Sequence, residues 1–166
     1  MPKRVLFICT GNSCRSVMAQ GLLQQALKRQ EHRLSEPVEV ASAGIFAIEG
    51  MPPSRETTRL LQQEGIDISS HMAQAVTDRL IQEADLIFVM ERFHAEEIIR
   101  RVPEAKPKAH LLKTFGSPMA SDPDALDVNI PDPIGKPPEV YERCFNLIRA
   151  CVERITNALI ASQREP

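Results

Sequence analysis

Cys9 and Arg15 bracket the run Cys9-Thr10-Gly11-Asn12-Ser13-Cys14-Arg15-Ser16, in which every intervening residue is small or polar. A thiol and a guanidinium so placed suit a tetrahedral oxyanion. The apolar stretch Val5, Leu6, Phe7, Ile8 before the run reads as a short buried strand, and Val17, Met18, Ala19, Leu22, Leu23, Ala26 and Leu27 after it recur at helical spacing. The run therefore sits on a strand-to-helix turn. A helix N-terminus offers unpaired backbone N–H groups and the positive end of its dipole, so anions bind there. The N–H groups from Thr10 to Ser16 can wrap one phosphate, with Gly11 permitting the tight path and the planar fork of Arg15 gripping two oxygens. Cys9, at the strand's end, would aim its sulfur at the phosphorus, and a helix terminus beside a guanidinium favours the thiolate needed for attack. Cys14 has two readings: a core cysteine beside the loop, or a partner that traps Cys9 as a reversible disulfide under oxidation.

The run CTGNSCRS resembles the phosphate-binding loop of the low-molecular-weight protein tyrosine phosphatase family, which also includes thiol-linked arsenate reductases and a phosphoarginine phosphatase branch. The resemblance extends to Ser42-Ala43-Gly44, to the segment from Gly65 to His71, to Ala84-Asp85-Leu86-Ile87 and to Asp132-Pro133. It implies a phosphorylated protein substrate, with Cys9 as nucleophile, Arg15 as phosphate ligand, Asp132 as general acid, and Asn12, Ser16 and Ser42 as supports of the loop. Thr10, Gly11, Asn12, Ser13, Cys14 and Ser16 then surround the phosphate. Two Asp-Pro pairs compete for the acid's role, Asp122-Pro123 and Asp132-Pro133. Proline biases the residue before it toward extended geometry, which helps to aim an aspartate. Only Asp132 leads through Ile134 and Gly135 into the apolar pattern Val140, Tyr141, Phe145, Ile148, as the family pattern requires.

Departures from the family concern the substrate. Tyrosine-directed members commonly carry an aliphatic residue where Ser13 stands and aromatic residues where Ile134 and Gly135 stand. Ser13 suits a phosphoguanidinium, and Phe46 suits the phosphoarginine branch as an apolar wall, yet Ser13 matches the arsenate reductases equally. Internal thiol shuttling needs a cysteine pair near Met90 to His94, which is absent, so arsenate reduction would require an external thiol. A phosphoprotein-binding module without catalysis is the remaining alternative. Phosphotyrosine hydrolysis is the first expectation and phosphoarginine hydrolysis the second.

Composition bounds the rest. Twenty basic and twenty-two acidic residues leave a net charge of −2, giving no overall signal for nucleic acid or membrane. The N-terminal apolar run is too short for a signal or a span, which makes a cytoplasmic protein the default. Cys144 and Cys151 share one helix face and read as core. The four histidines, His32, His71, His94 and His110, lack a zinc-ligand spacing, so neither metal nor cofactor is expected. The oligomeric state is open. Strands are expected near 4–9, 37–42, 85–90 and 109–112, and helices over 16–30, 54–64, 92–101 and 138–161. Such alternation implies an α/β fold, a single-domain doubly wound four-stranded parallel sheet over 1–166 with helices on both faces. Its ligand site lies beyond the strands' carboxyl ends, at Cys9. The Pro- and Asp-rich segment from Gly116 to Pro138 reads as a functional loop, with Asp124 and Asp127 solvated.

Overall fold

The computed structural model describes residues 2–117 and 127–164. Strand β1 (Arg4–Cys9) is buried at every position after the first. Its side chains alternate between two apolar layers, as the period of a strand demands. Val5, Phe7 and Cys9 join one layer with α1 (Arg15–Arg29) and α5 (Pro138–Ser162). Leu6 and Ile8 join the other, where Ile81 of α3 (Asp78–Glu83) and Ile98 of α4 (Arg92–Arg101) pack. Burial on both faces explains why β1 reads as an unbroken apolar run.

Strands β2 (Glu39–Gly44), β3 (Leu86–Val89) and β4 (Ala109–Leu111) complete a parallel sheet in the order β2-β1-β3-β4. The register sets Cys9 beside Gly44 and Ile8 beside Val89. The chain leaves β1 toward β2 on one side and returns to β3 on the other, so the carboxyl end of β1 is the switch point where ligands bind in open α/β sheets. Helix α2 (Arg55–Gln63) lies between β2 and α3 in sequence and is capped by Ser54, whose hydroxyl accepts from the Thr57 N–H.

The expected α/β sheet with helices on both faces is the fold. Three local differences have physical causes. Helix α3, six residues long, carries too few turns to show a period and was not expected from the sequence. Strand β2 begins at Glu39 rather than 37 and continues to Gly44, because it pairs with β1 up to Cys9. Short 3-10 turns form at Glu31–Arg33 and Pro103–Lys108, in connections too short to show a helical period. Asp122 and Asp124 lie outside the described residues. Asp127 is exposed and pairs with Lys113 at 2.8 Å.

Candidate active site

Helices α2 and α3 each begin with an N-cap side chain accepting from their first turn, whereas α1, with Cys14 as its N-cap, has no side-chain cap. Its first N–H groups are left for another acceptor. The loop from Cys9 to Cys14 is built the same way. Its carbonyls are drawn outward: Cys9 O accepts from Ile45 N–H at 3.0 Å, Thr10 O from Phe46 N–H at 2.9 Å, Ser13 O from Ser54 N–H at 2.9 Å and Cys14 O from Met18 N–H at 2.9 Å. Asn12 O accepts from His71 Nε2–H at 3.1 Å. Peptide planes held by their oxygens on the outside turn N–H groups inward, which is the geometry of an anion nest. One of them, Asn12 N–H, points at Cys9 Sγ from 3.3 Å.

The left-handed turn that closes the loop falls on Asn12, at φ 53°, and not on Gly11, where the sequence placed the tight path. Asparagine tolerates this region better than most residues because its short amide can bond locally. Here the amide is fully committed. Asn12 Nδ2 donates to Ser16 Oγ at 2.9 Å and to Ser42 Oγ at 2.8 Å, while Oδ1 accepts from Gln74 N–H at 3.0 Å. Ser42 in turn donates to Gln20. The close approach that requires a glycine is at Gly44, where a Cβ would stand 2.5 Å from Thr10 O and 2.9 Å from Asn12 N.

Cys9 Sγ lies 2.9 Å from Ser16 Oγ. Ser16 accepts from Asn12 and keeps its own proton to donate to the sulfur whenever Cys9 attacks as a thiolate, which can only accept. Burial pushes the Cys144 thiol up to about 12 and raises that of Cys151. Cys14 donates to Ser54 Oγ at 3.2 Å and lies 3.9 Å from Tyr141 OH. All four cysteines are free.

Arg15 is 1 % exposed, an unusual burial for a guanidinium, and it is held by its surroundings. Nη1 donates to Glu91 Oε2 and to the Ile130 carbonyl, each at 2.7 Å. Nη2 faces Thr10 Oγ1 at 3.4 Å and Asp132 Oδ2 at 3.5 Å. Asp132 Oδ1 accepts the Ile134 N–H at 3.1 Å, a local turn that fixes the carboxyl before Pro133. Cys9, Thr10, Gly11, Ser13, Cys14, Arg15, Asp132 and Ile134 together line one cavity of about 190 Å³. A larger groove of about 340 Å³ runs between α1 and α5, but its walls carry neither thiol nor imidazole.

The residues named from sequence thus converge, with Ser16, Asn12 and Ser42 behind the loop. Ile134 lines the cavity and is well exposed; Phe46 is exposed and is not part of the cavity lining, but its backbone N–H is tied to Thr10 O of the loop. Sequence reasoning missed Glu91, His94, the Ile130 carbonyl, His71 and Gln74. Glu91 caps α4, its N–H donates to His94 Nδ1 at 3.0 Å, and His94 Nε2 meets Thr10 Oγ1 at 2.9 Å. Glu91 and His94 occupy the segment after β3, Met90 to His94, where the sequence shows no cysteine pair.

Residues 4–165 match the model of a family described as low molecular weight phosphotyrosine protein phosphatase. The protein-arginine-phosphatase of Geobacillus stearothermophilus is 36% identical over 163 residues, 98% of this chain and 100% of that protein. The low molecular weight protein-tyrosine-phosphatase Wzb of Salmonella typhi is 28% identical over 166 residues, the whole of both chains. The solved structure of the YwlE arginine phosphatase from Geobacillus stearothermophilus superposes with a TM-score of 0.81 at 35% identity, covering 98% of this chain and 96% of that one. Sheet order, an anion loop at the switch point and a match along nearly all of its length agree: the chain belongs to the low molecular weight phosphotyrosine protein phosphatase family.

Proposed function

We propose that this chain is a cysteine-dependent protein phosphatase that hydrolyses phosphotyrosine through a phosphocysteine on Cys9. The observation that carries this reading is the cavity floor: Cys9 Sγ faces the inward-turned N–H of Asn12 and the hydroxyl of Ser16, with Arg15 and Asp132 in the walls above it. The Cys9 thiolate attacks phosphorus, a P–S bond forms, and the P–O bond to the tyrosine oxygen breaks. Asp132, protonated, gives its proton to the departing phenolate. The nest and Arg15 hold the equatorial oxygens, whose charge persists through a loose transition state. Because Nη1 is committed to Glu91 and Ile130, the edge formed by Nε and Nη2 is the one offered to the phosphate. In the second step the Asp132 carboxylate takes a proton from water, the oxygen attacks phosphorus, and the P–S bond breaks to return thiolate and inorganic phosphate.

Phosphoarginine is the second reading. It is favoured by the relative named a protein-arginine-phosphatase and by Ser13 in the cavity wall, a polar group that suits a guanidinium leaving group. Phosphotyrosine is preferred on the family description and the tyrosine-directed relative. The substrate is a phosphorylated protein in either case. Four free thiols suit the reducing cytoplasm, and among the described residues no helix is long and apolar enough to cross a membrane. Parallel turnover of matched phosphotyrosine and phosphoarginine peptides tests the choice, with arsenate plus an external thiol as a third arm. A higher kcat/KM on phosphotyrosine supports the first reading; a higher value on phosphoarginine replaces it with the second, and thiol-dependent arsenate reduction without peptide turnover overturns both.

A further inference from the structure

Thr10 follows Cys9, and its hydroxyl is held by Arg15 and by His94, a residue with no part in the reaction scheme above. Glu91 N–H donates to His94 Nδ1 at 3.0 Å. That nitrogen is therefore an acceptor, and in a neutral imidazole the proton must sit on the other nitrogen. Nε2–H accordingly donates to Thr10 Oγ1 at 2.9 Å. His94 is wholly buried, and burial, followed by the charge of Arg15, pushes it down to about 3, so the neutral ring persists across the working pH range. Arg15 Nη2 donates to the same Thr10 oxygen at 3.4 Å. Glu91 closes the ring of contacts by holding Arg15 Nη1 at 2.7 Å.

A hydroxyl has two acceptor lone pairs and one proton. At Thr10 both lone pairs face donors, His94 on one side and Arg15 on the other. The remaining direction belongs to the proton, and Thr10 lines the same cavity as Cys9 and Arg15. We infer that Thr10 is a side-chain donor to the phosphoryl group, and that His94 is the positioning residue that makes its hydroxyl donate rather than accept. This rests on the phosphatase reading above. Free to rotate, a threonine hydroxyl beside an anion and an arginine has several partners; held by two N–H groups, it has one role. The nest then presents one more hydrogen bond than its backbone supplies, aimed at an oxygen that Arg15 Nη2 can also reach.

Four variants test it: Thr10→Val, which keeps the branched shape without the hydroxyl; Thr10→Ser, which restores the hydroxyl; His94→Asn; and the double variant Thr10→Val/His94→Asn. Asparagine keeps an acceptor where Nδ1 stands, preserving the cap of α4, but is too short to reach Thr10. The readouts are inorganic phosphate affinity by calorimetry and kcat and KM on an aryl phosphate. A hydrogen bond to a charged group is strong, so Thr10→Val is expected to weaken phosphate binding about tenfold and to lower kcat by about the same factor or more. Thr10→Ser should stay within about threefold of the parent. His94→Asn should match the loss of Thr10→Val alone and add nothing in the double variant, the signature of two residues acting through one contact. Phosphate affinity unchanged in Thr10→Val, or losses that simply multiply in the double variant, would overturn the inference. Absence of turnover in the parent protein would instead sink the phosphatase reading itself.

Discussion

Replacing Asp132 by asparagine should have two effects of opposite sign, and the structure sets the size of each. Oδ1 accepts the Ile134 N–H at 3.1 Å, and the asparagine carbonyl can do the same, so the turn before Pro133 survives. Two things are lost: the transferable proton and a negative charge 3.5 Å from Arg15 Nη2. General acid catalysis contributes roughly 10²–10⁴-fold, or about 3–5 kcal/mol of barrier, when the leaving group is as basic as a tyrosine phenolate. For a p-nitrophenolate, a far better leaving group, the loss should be small. The charge term works the other way. The Asp132 side chain is 37 % exposed, so water-like screening applies, and a unit pair at 3.5 Å is then worth about 1 kcal/mol. Arg15, released from that pair, should bind inorganic phosphate about fivefold tighter in Asp132→Asn. The assay is steady-state turnover across a series of aryl phosphates of graded leaving-group basicity, with phosphate inhibition measured on the same samples. A uniform loss across the series, or weaker phosphate binding, would refute the role given to Asp132.

Three further outcomes follow from named contacts. Glu91→Gln removes the charge that holds the buried Arg15 at 2.7 Å; it should cost about 1.5–3 kcal/mol in chemical denaturation and lower kcat/KM at least tenfold, with saturating phosphate recovering part of the stability. Gly44→Ala drives a methyl against Thr10 O and Asn12 N, both backbone atoms, and should destabilise the fold by about 1–3 kcal/mol and lower kcat at least tenfold in the soluble fraction. His94 should make stability depend on acid: its folded value is pushed down to about 3 while the unfolded imidazole stays near 6.5. The unfolded chain therefore takes up a proton that the folded chain refuses. The contribution is fully present above pH 6.5 and is lost as pH falls, by about 2 kcal/mol between pH 8 and pH 5. Urea melts of the parent should show that slope, and His94→Asn should flatten it.

What the sequence revealed and what it hid divide along a physical line. The strand, loop and helix carrying Cys9 and Arg15 are contiguous, so the apolar run Val5 to Ile8 and the helical spacing after Ser16 were enough to place them. Asp132 came from a family pattern, with Ile134 and Gly135 leading into α5. Glu91 and His94 carry no such local signal. They reach Arg15 and Thr10 only because β3 pairs with β1, bringing the N-terminus of α4 beside the loop across more than seventy residues. Gly44 was visible as part of Ser-Ala-Gly, but its reason is steric and depends on the register that sets it against Cys9. The shift of the tight turn from Gly11 to Asn12 has the same origin: the amide that stabilises the left-handed backbone is fixed by Ser42 and Gln74, from distant segments.

The claim on which all of this depends is that phosphorus passes through Cys9. Rapid quenching of the parent protein with a phosphotyrosine peptide labelled on phosphorus, followed by proteolysis and mass spectrometry, tests it directly. Label should appear on the peptide containing Cys9 within the first turnover and decay at the rate of phosphate release. In Cys9→Ser, turnover should be lost while phosphate still binds the nest. Turnover in the parent with no label ever reaching Cys9, or steady turnover by Cys9→Ser, would contradict the mechanism.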